Sequence, residues 1–192
     1  SVTRYAGNRM DDEETIFSIS EGHLDSGLRG IPVGTCKTSY VDPIEGVHYV
    51  GYPVGDLADL EEEDVIYLLM HKRLPDPEES AAFRKELAHR GEEMPTGALR
   101  VLENLTPGSG HPMDWLSIGI MAMGAAETTS DEIGDVRADS MNLIARMPEL
   151  MARIFLLRGG HPEKLRPRNT ELGLVENFVH MLGAEGAEAE RM

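Results

Sequence analysis

Seven histidines and a single cysteine are the residues with most scope for chemistry in this chain, and their spacing limits what they can do. A zinc site draws its ligands from closely spaced pairs such as His-Glu-x-x-His or Cys-x-x-Cys. His23, His48, His89 and His161 fall in expected turns, strands or helix surfaces with no second ligand at metal spacing, and no carboxylate facial triad accompanies them. Cys36, expected in a strand without an activating neighbour, reads as a small apolar residue. His71 follows Leu68-Leu69-Met70 at an expected helix end, where a partly charged imidazole interacts well with the carbonyl end of the macrodipole. His111 precedes Pro112 at a helix start, and His180 between Val179 and Met181 reads as core or interface. Gly108-Ser109-Gly110 and Gly159-Gly160 lack the context of a phosphate loop and read as turns; no G-x-S-x-G nucleophile elbow occurs. The residues themselves thus assign no catalytic, cofactor-binding or metal-ligating position.

The elements that would position these side chains change in kind near residue 55. Before it, residues 16–19, 27–30, 35–41 and 47–52 carry apolar, β-branched and aromatic residues between Gly, Pro and Asp-Pro turn signals, which predicts small hairpins. After it the pattern is helical. A short turn at 56–60 precedes four acids, Glu61 to Asp64, placed where a helix N-terminus favours negative charge, and a helix over 65–71. Asp76 as N-cap and Pro77 at the first helical position open another helix, with Phe83 and Leu87 on its buried stripe and an end near Gly91.

Residues 95–105, 112–126 and a long stretch from a Ser130 cap to Arg158 complete the central helices, and 172–182 the last. In the long one, Ile144, Met147, Met151, Ile154 and Arg158 form the expected seam, and Pro148 is expected to kink it. The 112–126 helix is apolar on every side, so it needs neighbours all round: either a central place in a monomeric bundle or a helix pair across a dimer axis. Gly119 in its middle costs about 0.8 to 1.0 kcal/mol relative to alanine and needs a packing reason. The organisation is therefore read as a β-hairpin segment over 1–55, a helical body over 56–183 and an acidic tail over 184–192.

Composition narrows the partners. A net charge of -16, from 34 acidic against 18 basic side chains, repels a phosphate backbone, so nucleic acid is not expected. The acids gather at 61–64, 131–139 and 185–190, where a solvated face accounts for them. The longest mostly apolar run, residues 116–126, is about half of the ~20 needed to cross a bilayer. One cysteine and no leader pattern at the amino end make a cytoplasmic, membrane-free protein the expectation.

A collinear series of short segments adds to this reading. The series runs Gly27-Leu28-Arg29-Gly30, residues 35–40, Glu45-Gly46-Val47-His48-Tyr49-Val50-Gly51-Tyr52, Asp56-Leu57-Ala58, residues 65–75 ending Arg73-Leu74-Pro75, His111-Pro112-Met113, Leu143-Ile144-Ala145-Arg146-Met147-Pro148, and Asn177-Phe178 with Met181-Leu182. In order and spacing it resembles the amino-terminal half of the citrate synthase family, over residues 27–183. The resemblance implies a mainly α fold: the multi-helical large-domain half with a small amino-terminal β-hairpin region. One departure is Val50, where the family usually has arginine in Tyr-Arg-Gly-Tyr, which removes an ion pair or anion contact from that hairpin.

The chemistry implied by the resemblance is condensation of an acyl-CoA with a 2-oxo acid such as oxaloacetate. A carboxylate takes a proton from the thioester methyl group, one histidine stabilises the enol and another handles the oxo-acid carbonyl. In the family these groups lie beyond the segment resembling Asn177 to Leu182, so none is carried onto this chain. The expected roles are a homodimer through helices 112–126 and 139–158, a second chain carrying the carboxyl-terminal half, and acyl-CoA as substrate of the assembled enzyme. This chain alone is expected to bind no cofactor and to be inactive. The alternatives are a non-catalytic dimerisation or regulatory module with the same fold, and a truncated piece of a full-length enzyme.

Overall fold

The computed structural model describes residues 17–127 and 135–184. Backbone contacts divide the chain into two compact units, residues 1–37 and 38–192. In the first, a 3-10 turn over Glu21–His23 is closed by Ser20, whose backbone N–H donates to His23 Nδ1 at 2.9 Å, and Phe17 meets the His23 ring edge-on at 5.3 Å. The extended structure expected at 27–30 is absent: Gly27 and Gly30 have φ of 60° and 77°, so these residues turn instead of pairing. Cys36 likewise lies ahead of the first strand and is exposed, not within a strand.

The second unit opens with an antiparallel sheet in the order β1 (Ser39–Asp42), β2 (Gly46–Tyr49), β3 (Tyr52–Pro53). Asp42 sets the first turn. Its carboxylate accepts from the backbone N–H groups of Ile44 and Glu45 at 2.7 and 2.8 Å, which holds the carboxyl below its usual pKa, and Gly46 takes a φ of 89° that a side chain resists. The second turn divides the strand expected over 47–52. Val50 and Gly51 both have positive φ, 51° and 88°, the geometry of a tight primed hairpin turn. A β-branched residue is strained there. Val50→Asn, which tolerates that region, is expected to raise stability by about 1 kcal/mol, read as a shift of the urea midpoint. A neutral or negative shift would contradict this account of the turn.

Among the described residues seven helices follow: α1 (Val54–Leu57), α2 (Glu62–His71), α3 (Pro77–Arg90), α4 (Thr96–Glu103), α5 (Pro112–Glu127), α6 (Val136–Arg158) and α7 (Leu174–Leu182). The acids at 62–64 form the first turn of α2. Asp76 caps α3 as expected, accepting from Glu79 N–H at 2.9 Å, while the Glu79 carboxylate reaches back to Asp76 N–H. The Arg73 guanidinium also grips that carboxylate and, with the backbone donor, holds its carboxyl down to about 2. Gly91 ends α3. The cap of α6 is Asp135, whose Oδ1 accepts from Arg137 N–H at 3.0 Å. Ser130, the acids 131–134 and the tail 185–192 lie outside the described residues.

Two clusters of buried side chains meet on α6. Ala98, Leu102, Trp115, Met123, Leu150 and Ile154 join it to α4 and α5. Tyr67, Phe83, Leu87, Met141 and Ala145 join it to α2 and α3. The expected seam is thus corrected: of its members only Ile154 is buried, and the other buried positions are Met141, Ala145, Pro148, Leu150 and Ala152. A helix packed on several sides has no single stripe, so a one-face reading misplaces its core. Gly119 has its packing reason inside the chain. A Cβ there would stand 2.8 Å from Leu150 Cδ1, so the glycine lets α5 and α6 approach closely.

Pro148 lies inside α6, which is assigned without a break from Val136 to Arg158. Proline has no N–H for the Ile144 carbonyl. One residue on, the Ala145 carbonyl receives the Arg168 Nη2 at 2.7 Å, a charged donor laid against the weakened turn. Gly91 makes room for it: a Cβ there would stand 2.7 Å from both the Ala145 carbonyl and the Arg168 guanidinium.

Candidate functional site

The sequence-derived candidates are scattered, and each is occupied locally. His48 is 4% exposed in β2, stacked on Tyr40 at a centroid distance of 4.5 Å. His111 Nδ1 accepts from Met113 N–H at 3.2 Å and its own N–H donates to Asp114 Oδ2 at 3.0 Å, so it organises the start of α5. His180 Nε2 donates to the Pro167 carbonyl at 3.1 Å. His89 and His161 each stand 3.5 Å from a glutamate, Glu92 and Glu163, on open surface. General acid–base catalysis needs such a pair enclosed against a substrate, and these are not.

His71 corrects its expectation. It ends α2, as read, but its ring is engaged by neighbouring side chains and not left to the helix dipole alone. The ring lies flat on Tyr67 at 3.9 Å, and Arg137 Nη2 stands 2.7 Å from its Nε2. Burial first, then the Arg137 and Arg73 charges, hold its pKa below the ordinary histidine value.

The glycine turns belong to the frame. Gly108 and Gly110 have φ of 76° and 62°, and the loop they form is tied to the end of α6: Arg158 Nη2 donates to the Gly110 carbonyl at 2.6 Å, Trp115 Nε1 to the Ser109 carbonyl at 2.8 Å. Glu61, Glu62 and Glu63 bring carboxylates within 4.8 Å of one another. The first two face solvent, and Glu63 is already engaged: its Oε1 accepts from Leu174 N–H at 2.7 Å and caps α7 from a helix far earlier in the chain. Gly173 leaves room for that carboxylate, which a Cβ would meet at 3.1 Å.

The best-built polar centre is one that histidine and cysteine spacing does not find. Asn177, 1% exposed, accepts from Asn169 N–H at 2.9 Å and donates to the carbonyls of Asn169 and Leu172, both at 2.8 Å. It holds the loop before α7 by three hydrogen bonds. The only sequence signal was its place beside Phe178 in the collinear series.

Among the described residues, three of the hollows on this frame bear on function. One of about 310 Å³ is lined by Tyr67, His71, Phe83, Arg137 and Met141. A polar one of about 580 Å³ lies beside Arg84, Glu92, Arg168 and Glu171. An almost wholly apolar groove of about 380 Å³ runs between α2, α6 and α7, walled by Ile66, Ile144, Met147, Met151, Leu174 and Phe178. None gathers the histidines and carboxylate that a condensation needs. What the described residues build is scaffold and surface: α5 buries Trp115, Gly119 and Met123, while Met113, Ser117, Met121, Gly124 and Ala125 face outward.

The family model described as citrate synthase, C-terminal domain, matches residues 27–192. The chain belongs to the citrate synthase family. Citrate synthase of Haloferax volcanii is 36% identical over 173 residues, which is 85% of this chain and 44% of that protein. The 2-methylcitrate synthase of Mycobacterium tuberculosis is 34% identical over 168 residues, 86% of this chain and 42% of that one. Among solved structures, citrate synthase from Thermotoga maritima aligns with a TM-score of 0.69 and 26% identity, over 86% of this chain and 43% of that chain. The expected citrate-synthase-like, mainly helical fold with a small sheet is therefore the observed one. The chain spans less than half the length of these relatives. Among the described residues no helix is long and apolar enough to cross a membrane.

Proposed function

We propose that this chain is the amino-terminal, large-domain half of a citrate-synthase-type acyltransferase, and that a second polypeptide supplies the catalytic half. The assembled enzyme condenses an acyl-CoA, acetyl-CoA in the simplest case, with a 2-oxo acid such as oxaloacetate. This chain contributes framework and interface, binds no cofactor of its own and is inactive alone. One observation carries the reading. A fold aligned over 86% of this chain matches only 43% of a solved citrate synthase, while none of the cavities described brings two histidines together with a carboxylate. The family model's description names a C-terminal domain; the order of the motifs supports reading the chain as the part ahead of the family's reacting groups.

A homodimer through helices 112–126 and 139–158 is the other part of the proposal. The outward face of α5 supports it: Met113 and Met121 are 57% and 74% exposed beside Ser117, Gly124 and Ala125, whose small side chains admit a close backbone approach. Light scattering on the purified chain is expected to give twice the 21.1 kDa chain mass. Met121→Glu, which places a charge on that face without touching the core, is expected to halve the mass and leave helicity unchanged. A wild-type species at 21.1 kDa would contradict the dimer.

A further inference from the structure

A guanidinium carries only donors, so the 2.7 Å contact between Arg137 Nη2 and His71 Nε2 is a hydrogen bond only while that nitrogen is bare. The geometry leaves the imidazole little choice. Tyr67 covers one face of the ring at an interplanar angle of 10°, and Phe83 stands edge-on to it at 6.4 Å. The contact joins the last residue of α2 to the first turn of α6, two residues beyond the Asp135 cap. We infer that His71 and Arg137 form a proton-controlled latch that is closed with a neutral imidazole and opened by its protonation, freeing the first turn of α6 from α2.

Protonation would place two cations on one hydrogen-bonding edge. The groups around the ring do not neutralise them. On α2 and just beyond it, Tyr67 is uncharged and Arg73 is held by Glu79 through Nη1 at 2.6 Å. On α3, Glu86 is engaged by Arg90, 2.8 Å away, and Arg90 reaches Asn142 at 2.7 Å. At the head of α6, Asp135 spends its carboxylate on Arg137 N–H and Ala138 N–H. Among the described residues Arg137 makes no ion pair with a carboxylate, so its recorded side-chain partner is the imidazole.

The direction of the pH effect follows from the depressed histidine. Between its folded pKa and the unfolded value near 6.5, the unfolded chain binds more protons, so this contribution to stability is fully present above about 6.5 and is lost as pH falls below it. Loss of the latch loosens the start of α6, the longest helix, which both buried clusters share.

The test is a proton-NMR titration of the histidines of the full chain, with amide hydrogen exchange of residues 138–141 expressed as protection factors. His71 is expected to titrate below an unperturbed histidine, and Arg137→Gln to raise its midpoint. Protection at 138–141 is expected to fall several-fold as wild-type His71 gains its proton. His71→Gln, which keeps an acceptor for Arg137 but cannot be protonated in this range, should hold its protection over the same interval. A wild-type His71 midpoint at or above the ordinary histidine value near 6.5, an unchanged midpoint in Arg137→Gln, or an equal acid loss of protection in His71→Gln would each overturn the latch.

Discussion

Replacing Asn177 by alanine is expected to lower the unfolding free energy by about 2 to 4 kcal/mol, a large part of the 5 to 15 kcal/mol that holds a typical domain. The reason is asymmetry. The native side chain satisfies one backbone N–H and two carbonyls in a place where it is 1% exposed itself. Removing it leaves the Asn169 N–H and the Leu172 carbonyl without this partner, while the Asn169 carbonyl keeps the Leu172 N–H at 3.2 Å, and each polar group orphaned away from water costs about 1 to 3 kcal/mol. The loop released also carries Arg168, whose guanidinium braces the Ala145 carbonyl beside Pro148, so the damage reaches the middle of α6. Asn177→Asp is expected to be no better, because it turns lone pairs toward two carbonyl oxygens that need a donor. Urea unfolding followed by circular dichroism measures both. A loss below about 1 kcal/mol for Asn177→Ala would show that the loop is held by something else.

How far the fold could be read from sequence depends on the range of the forces involved. The Asp76-Pro77 cap, the end of α3 at Gly91 and the turn around Gly108 were legible because the residues that decide them lie within a few positions of one another. The turn at Val50-Gly51 was not, because a β-branched residue at positive φ contradicts the local preference that strand reading relies on. The seam of α6 was misplaced for a different reason. Its burial is set by α3, α4, α5 and α7 together, and a single periodic stripe cannot represent contact on several sides.

At the candidate site the limit is sharper. Residue types place His111 at a helix start without showing its bond to Met113, and Asn177 and Arg168, which hold the loop before α7, carry no spacing signal at all. His71 is legible at its helix end, but its contact with Arg137 is not, because that neighbour is distant in sequence. The outward face of α5 was visible as excess apolarity, while its division into a buried row at Trp115, Gly119 and Met123 and an open row at Met113 and Met121 needed the packing partner Leu150.

Reconstitution carries the second large effect, since the expected change is from no turnover to turnover. The companion to be sought is a polypeptide with a histidine-glycine loop and a later aspartate, the groups that condensation requires and that the described part of this chain does not assemble. Framework and reacting groups on separate chains leave each inactive, because general acid–base work depends on holding the thioester and the oxo acid together in a closed cleft. The measurement is CoA release from acetyl-CoA and oxaloacetate by each chain alone and by the mixture. Release by the mixture only, rising to a plateau as companion is added, is the predicted result; turnover by this chain unaided, or a stable complex of the two that releases no CoA, would contradict it.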